Sequence, residues 1–292
     1  MKTAELFKHK TVFSLEVFPP KPGADEGVIY KTLDGLSDIC PDFISVTYGA
    51  GGGKNGSSTI KIASDIKYRY GVESAAHLPC IGLSREQAKD ILDTMKSKGI
   101  ENILALRGDI PQGEVKKGDF EHASDLIIFI KENYDFNILA ACYPEAHPES
   151  ASRADDIRRL KYKVDCGADQ LITQLFLDNS YFYDFRERTA IAGIEAPIEA
   201  GIMPVTNKRQ IERMVALCGV KLPRKFMRML ERFEYNETAL RDAGIAYAID
   251  QIADLITQGA DGIHLYTMND PYVAKRIYDA VHNLICANSL VS

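Results

Sequence analysis

The stretch FSLEVFPPK, residues 13–21, decides how the rest of the chain is read. Phe13, Leu15, Val17 and Phe18 make it a buried β-strand, and Pro19-Pro20 ends it, since proline has no N–H to give a ladder. Glu16 stands inside that apolar run. An unpaired buried carboxylate is costly, and its usual response is a raised pKa and a retained proton. Glu16 therefore either has a structural partner such as Arg or Lys, or serves a site that uses a carboxylic acid near neutral pH.

Seven more runs of the same kind follow: FISVTY (43–48), SAAHLP (74–79), NILALRG (102–108), NILAACY (137–143), QLITQLF (170–176), IEAGIMP (198–204) and DGIHLYT (261–267). Counting TVFSLEVF (11–18), the first seven begin about every 28 to 35 residues, the length of a strand, a crossover helix and two loops. Between them lie helical patterns such as SREQAKDILDTMKSKG (84–99), with apolar Ala88, Ile91, Leu92 and Met95. Ser84 is placed to cap it, Gln87 to complete a capping box, and Gly99 to end it. The last two strands are separated widely enough for an extra helix around Arg224–Phe233. Eight β/α units predict an α/β (β/α)8 TIM barrel, a single domain over residues 1–292, in preference to a doubly wound open sheet of fewer strands.

The chain has 292 residues, 46% hydrophobic and 26% charged, with a net charge of −6 and no basic stripe interleaved with aromatics, which argues against nucleic acid. Six scattered cysteines form no C-x-x-C, and most sit in apolar runs, as reduced core residues of a cytosolic protein would. MKTAELFKHK has no long apolar segment and no stretch reaches transmembrane length, so a cytoplasmic protein without membrane contact is expected.

In such a barrel the site lies at the strands' carboxyl ends. Those ends carry Glu16, Thr47-Tyr48, His77, Arg107-Gly108-Asp109, Tyr143, Gln174, Thr206-Asn207, and Tyr266 with Asn269. The amino ends, Thr11, Phe43, Ser74, Asn102, Asn137 and Ile198, are duller. Polar strand ends also arise because strands stop where loops begin, so the informative residues are those inside the pattern: Glu16, His77 and Gln174.

Several motifs are discounted. Gly51, Gly53 and Gly56 match G-x-G-x-x-G, yet the next strand ends in His77 where a dinucleotide fingerprint wants an acid, so GAGGGKNG reads as a mobile loop over the mouth. Lys54 is followed by Asn55, which rules out a Walker A. No H-E-x-x-H predicts a metal, and no G-x-S-x-G a serine nucleophile. The segment YPEAHPESASRADDIRRLKYKVD (143–165) joins a proline-stiffened turn to a helix start with Arg158, Arg159, Lys161 and Lys163. It suits a phosphate-bearing cofactor, or equally a solvated charged face.

FSLEVFPPK, SVTYGAGG, AAHLPC, ALRGD, AACYPEAHPE, ITQLFLD, GIMPVTN and HLYTMN in this order closely resemble methylenetetrahydrofolate reductase in its short bacterial form, from about residue 11 to 285. The resemblance implies a TIM barrel with non-covalent FAD at the strands' carboxyl ends. Hydride passes from NADH or NADPH to FAD, then to 5,10-methylenetetrahydrofolate, giving 5-methyltetrahydrofolate. Glu16 matches the general acid that protonates folate N10 and opens the imidazolidine ring, a task for which burial supplies the raised pKa. Asp109 matches the aspartate between flavin and pterin, Gln174 a contact to folate and nicotinamide in turn, Gln210 a further folate contact, and Thr47 a nicotinamide-nucleotide contact. Tyr48, His77, Arg107, Gly108, Asp109, Ala123, Tyr143, His147, Ser150, Asp156, Arg159 and Lys163 fall on flavin-contacting positions.

Three positions depart from the family pattern: Met214 stands where an aromatic is expected, Asp270 where a basic residue contacts folate, and Arg159 where a smaller amide is expected. Met214 and Asp270 leave the donor and folate-tail contacts open. Two other classes stay in view: a subunit fed electrons by a partner protein, and a non-redox pterin-binding one-carbon transferase. Exposed helix faces on a barrel suit homo-oligomer formation.

Overall fold

The computed structural model describes residues 1–21, 23–48, 56–108 and 118–288. Its eight strands are β1 (Val12–Val17), β2 (Phe43–Val46), β3 (Glu73–Pro79), β4 (Asn102–Leu106), β5 (Asn137–Cys142), β6 (Gln170–Thr173), β7 (Ile198–Ile202) and β8 (Gly262–Tyr266). All pair in parallel and in chain order, and β8 returns to β1, so the sheet closes into a barrel. The eight expected runs are the eight strands. All but β3, which ends at Pro79 as expected, stop one to three residues earlier than the apolar pattern predicts. Ladder-like bonds still persist past two of those ends: Thr47 N–H donates to Val17 O at 3.0 Å and Gln174 N–H to Cys142 O at 2.7 Å.

The helices that cover the barrel are α1 (Gly27–Gly35), α2 (Gly56–Arg69), α3 (Arg85–Ser97), α4 (Ala123–Asn133), α5 (Arg153–Asp165), α6 (Asn179–Ile191), α7 (Lys208–Cys218), α8 (Arg224–Phe233), α9 (Glu237–Thr257) and α10 (Pro271–Asn288). The expected additional helix is α8, lying between α7 and α9 on the β7-to-β8 connection. Ser84 caps α3 in a reciprocal box with Gln87, as its spacing predicts. Among the described residues no helix is long and apolar enough to cross a membrane.

Period-two alternation divides each strand between two cores. Phe13, Leu15 and Val17 of β1 join the helix-facing core, whereas Val12 joins a lumen cluster with Phe43, Ala75, Leu104, Leu139 and Ile172. Ser14 and Glu16, in phase with Val12, therefore face the lumen. A 3-10 helix, Thr3–Lys8, closes the floor with Leu6 and Phe7 against that cluster. The strand amino ends are not dull: buried Asn102, Asn137 and Gln170 hydrogen-bond to the Thr3 hydroxyl beneath them. Of the six cysteines only Cys80 and Cys142 are buried; Cys40 and Cys286 are exposed although the adjacent Ile39 and Ile285 are buried.

Buried Gly244 of α9 lies so close to the β7–α7 connection that an added Cβ would sit 1.9 Å from Val205 O, a backbone atom that cannot step aside. Alanine's better helix propensity is worth about 1 kcal/mol, and the clash exceeds it. Gly244→Ala should lower unfolding stability by roughly 2 kcal/mol net, seen as a reduced urea midpoint; an unchanged or raised midpoint would contradict the packing of α9 described above.

Candidate active site

Glu16 lies near the carboxyl end of β1, pairing with Ser45 of β2 and Tyr266 of β8. Its backbone carbonyl accepts from the Thr267 hydroxyl at 2.6 Å, which ties the first strand to the last at the mouth. The side chain is largely buried and has no Arg or Lys partner among the described residues. Instead two imidazoles face it: His77 Nε2 stands 3.5 Å and His264 Nε2 3.7 Å from the same carboxylate oxygen. Neither nitrogen has a hydrogen-bond partner, although both are buried. Burial lowers the His77 pKa to about 4, with Glu16 opposing and His264 adding to the shift, so His77 is a neutral imidazole at neutral pH. Tyr266 crosses the mouth to donate to Thr173 O at 2.7 Å, and burial holds its phenol in the protonated form.

One turn of the alternation deeper, a second carboxyl is wholly enclosed. Glu199 Oε1 is 2.6 Å from Ser14 Oγ, which is in turn 2.6 Å from His264 Nδ1. Gln170 Nε2 donates to the other Glu199 oxygen at 3.3 Å. Burial pushes the Glu199 carboxyl up to about 7, opposed by His264 and by the Ser14 and Gln170 hydrogen bonds. Sequence reading missed Glu199 and His264. Their signal was the one that marked Glu16, a charged or titratable residue inside an apolar strand.

A cavity of about 670 Å³ opens beside the mouth between the ends of β4 and β5 and the starts of α4 and α5. Eight of the expected flavin contacts line it: Arg107, Ala123, Tyr143, His147, Ser150, Asp156, Arg159 and Lys163. Ser152 caps α5 through Asp155 N–H. Asp156, in the first turn of α5, accepts from Ser150 Oγ at 2.8 Å and from His147 N–H at 3.2 Å, which folds the proline turn onto the helix. The Tyr143 ring meets His147 edge-on at 4.6 Å. Lys163 is half-buried, donates to Ala141 O at 2.8 Å, and has its pKa lowered by desolvation. Arg107 grips Glu149 in a two-pronged ion pair, at 2.6 and 2.9 Å, holding that carboxyl down at about 2. Glu149 and Arg158 also line the cavity and were given no role from sequence.

The remaining expected residues lie apart from this cavity. Thr47 and Tyr48 follow β2, where the Tyr48 hydroxyl fills the space beside side-chain-free Gly56 at the start of α2. His77 faces Glu16. Gly108, at φ +89°, follows β4, in a conformation that suits glycine, with Pro79 where a Cβ would sit. Gln174 follows β6 and turns its amide oxygen back to Leu175 N–H at 2.9 Å. Gln210 is in the first turn of α7, under the Asn207 cap. Asp109, and residues 49–55 of the glycine-rich loop, lie outside the described residues. Met214 packs in the apolar cluster between α7, α8 and α9, and Asp270 caps α10 through Val273 N–H at 3.1 Å. No cluster of potential metal ligands occurs among the described residues.

Residues 2–282 match the family model described as methylenetetrahydrofolate reductase. The 5,10-methylenetetrahydrofolate reductase of Pectobacterium carotovorum subsp. carotovorum is 39% identical over 93% of this chain and 89% of its own length. That of Escherichia coli (strain K12) is 37% identical over 93% of this chain and 90% of its own. Methylenetetrahydrofolate reductase (NADH) 1 of Arabidopsis thaliana is 38% identical, with 46% of its length covered. Among solved structures, an uncharacterized protein from Clostridium thermocellum, described as binding two copies of 5-methyl-5,6,7,8-tetrahydrofolic acid, superposes with a TM-score of 0.66 at 13% identity, covering 97% of this chain and 99% of that one. It shares the fold.

The raised Glu199 pKa has a consequence for stability. From the ordinary carboxyl value of 4.5 up to about 7, the folded chain keeps a proton that the unfolded chain has released, so this group's contribution falls as pH rises through that window and levels off above it. His77 acts oppositely, adding stability as pH rises from about 4 towards 6.5. Glu199→Gln isolates the first effect. Relative to the unsubstituted chain, its unfolding free energy should gain about 2–3 kcal/mol between pH 5 and pH 8. Urea unfolding across that range measures it, and a pH-independent difference would contradict a protonated Glu199.

Proposed function

The chain belongs to the methylenetetrahydrofolate reductase family, and from that premise we propose that it reduces 5,10-methylenetetrahydrofolate to 5-methyltetrahydrofolate with non-covalent FAD and NADH or NADPH as donor. The observation that carries the reading is Glu16: a carboxyl in the barrel lumen, without a cationic partner among the described residues, at the carboxyl-end mouth of a barrel whose β4 and β5 ends carry a cation-lined cavity. A carboxyl so placed is a proton donor to a substrate entering from the strand ends.

The residues present fit a flavin dinucleotide. The cavity volume is within the range of small-molecule and cofactor sites. Lys163, Arg107 and Arg159 supply cations and donors for a diphosphate beside the α5 start. Asp156 and Ser150 offer a carboxylate and a hydroxyl of the kind that hold a ribose. Lys163, half-buried and without a carboxylate in hydrogen-bonding contact among the described residues, offers its charge to an anion. When bound, FAD supplies the two-electron relay between the nicotinamide nucleotide and the one-carbon unit of the folate.

The chain's own part is then binding and proton delivery. Glu16 protonates N10, and the five-membered ring opens. His77, neutral and directed at the same carboxylate oxygen, orients Glu16 without neutralising it. Asp109 is assigned to the pterin, Gln174 to the folate and the nicotinamide in turn, Gln210 to a further folate contact, and Thr47 to the nicotinamide nucleotide. A non-redox pterin transferase would leave the cationic cavity idle. A partner-fed subunit would keep it but not respond to a nicotinamide nucleotide.

The purified protein should show flavin absorption bands that bleach anaerobically with NADH or NADPH. Bands that persist with both would favour a partner protein as donor, and a colourless protein unable to take up FAD would favour the transferase. Glu16→Gln should retain FAD and its reduction by the donor, while reduction of the folate falls by about 10²–10⁴-fold. Stopped-flow measurement of the two half-reactions separates these, and normal folate reduction in the variant would remove Glu16 as the acid.

A further inference from the structure

Glu199 is used by nothing described so far, yet it is a buried carboxyl one step from the acid. Its neighbours form a line through the lumen, hydrogen-bonded in its first two links: Glu199 Oε1 to Ser14 Oγ, 2.6 Å; Ser14 Oγ to His264 Nδ1, 2.6 Å; His264 Nε2 to Glu16 Oε2, 3.7 Å. The last separation exceeds a hydrogen bond, so transfer across it requires the Glu16 carboxyl to swing toward His264. His264 Nε2 is fully buried and otherwise unpartnered, which leaves Glu16 as the group it faces.

We infer that Glu199 is the resting site of the catalytic proton, and that Ser14 and His264 carry it to Glu16 for delivery to the folate. This rests on the reading of Glu16 as the acid.

The line has the bond order such a transfer needs. With Glu199 protonated, its carboxyl donates to Ser14, Ser14 donates to His264 Nδ1, and the neutral imidazole carries its proton on Nε2, facing Glu16. In the step the Glu199 O–H bond breaks as Ser14 Oγ gains that proton. The original Ser14 O–H proton passes to His264 Nδ1, and the Nε2 proton passes to Glu16 Oε2. One proton's worth of charge moves from Glu199 to Glu16, no electrons change hands, and His264 finishes as the other tautomer. The line ends at Glu199 in the other direction. Below it stand the amides Gln170, Asn137 and Asn102, which donate and accept hydrogen bonds but do not pass protons on as hydroxyls and imidazoles do. Glu199 therefore stores one proton rather than opening a channel to the floor.

The surroundings favour storage there. Glu199 is faced by Ser14 of β1, Gln170 of β6 and His264 of β8, while α9 packs on the outer side of β7. Asp42, just before β2, further raises its affinity for a proton and is itself paired with Lys10. His264 is faced by Glu16 and Ser14 of β1, by Phe43 of β2 and by Tyr266 on its own strand, with neutral His77 beyond Glu16. No Lys or Arg is paired with either carboxyl among the described residues. A carboxyl raised to about 7 is poised between its two protonation states near neutral pH, so it can carry a proton there and release it without a large penalty.

The test uses Glu199→Gln, which keeps an acceptor for Ser14 but has no proton to give, and Ser14→Ala, which breaks the line while leaving both carboxyls. In the unsubstituted enzyme the folate half-reaction, followed by stopped flow from pre-reduced enzyme, should decline above pH 7 along a one-proton limb. Both variants should lose at least tenfold in that half-reaction at pH 7 and show no such limb, with flavin reduction by the donor within twofold of normal. Independently of turnover, ¹⁵N signals of labelled imidazoles should show His264 switching tautomer with a midpoint near pH 7, and a fixed tautomer in Glu199→Gln. Folate rates and limb unchanged in both variants, or a His264 tautomer indifferent to Glu199, would overturn the inference. If Glu16→Gln alone abolishes folate reduction while Glu199→Gln leaves it intact, only the store fails; if Glu16→Gln is active, the reading of Glu16 fails first.

Discussion

β1 is hydrogen-bonded on both sides, to β2 and to β8, and this double pairing is the constraint on which the rest depends. It closes the sheet, so the inward side chains of all eight strands share one lumen whose exits are the mouth and a floor covered by Thr3–Lys8. In an open sheet Ser14 and Glu16 could reach water over an edge. In a closed one they must find partners among the other inward residues, since an unsatisfied buried polar group costs on the order of 1–3 kcal/mol.

That requirement sorts the lumen into two materials. Val12, Phe43, Ala75, Leu104, Leu139 and Ile172 fill it with apolar volume. Threaded past them runs a hydrogen-bonded series from Thr3 through Gln170, Glu199 and Ser14 to His264, ending below Glu16. The polar groups of this series are hydrogen-bonded to one another, which makes the proton affinity of each depend on its neighbours, while Nε2 of His77 and of His264 is left without a hydrogen bond. A second environment adjoins the mouth, where Arg107, Arg159 and Lys163 face a cavity. The first is a network of buried hydrogen bonds; the second gathers positive charge at a helix start.

Much of the architecture was legible because parallel strands buried on both faces appear as short apolar runs. The eight runs, the Ser84–Gln87 cap of α3 and the added helix α8 all follow from local pattern. The cavity residues of the 143–165 segment were legible as chemistry but open as to role, since a cationic helix serves solvent or a phosphate equally well. Other features were not legible. Cys218 stands in an apolar run, VALCGV, yet is only partly buried. Asn102 and Asn137 look like ordinary strand starts until Thr3, distant in sequence, lies over them. Glu149 has no signal of its own until Arg107 meets it from another strand.

By itself the sequence determined the succession of strands and helices, the polarity of the mouth, and that Glu16 had to be buried, because these depend on spacing along a single strand or helix. Only the tertiary structure decided what Glu16 is buried against. Its neighbours His77 and His264 come from β3 and β8, and Ser14 joins His264 to Glu199 of β7. Barrel closure sets which strands are neighbours and in what register, and no single segment carries that information. The dielectric around Glu199, and with it the proton it holds, is a property of the closed lumen rather than of the run IEAGIMP in which it is written.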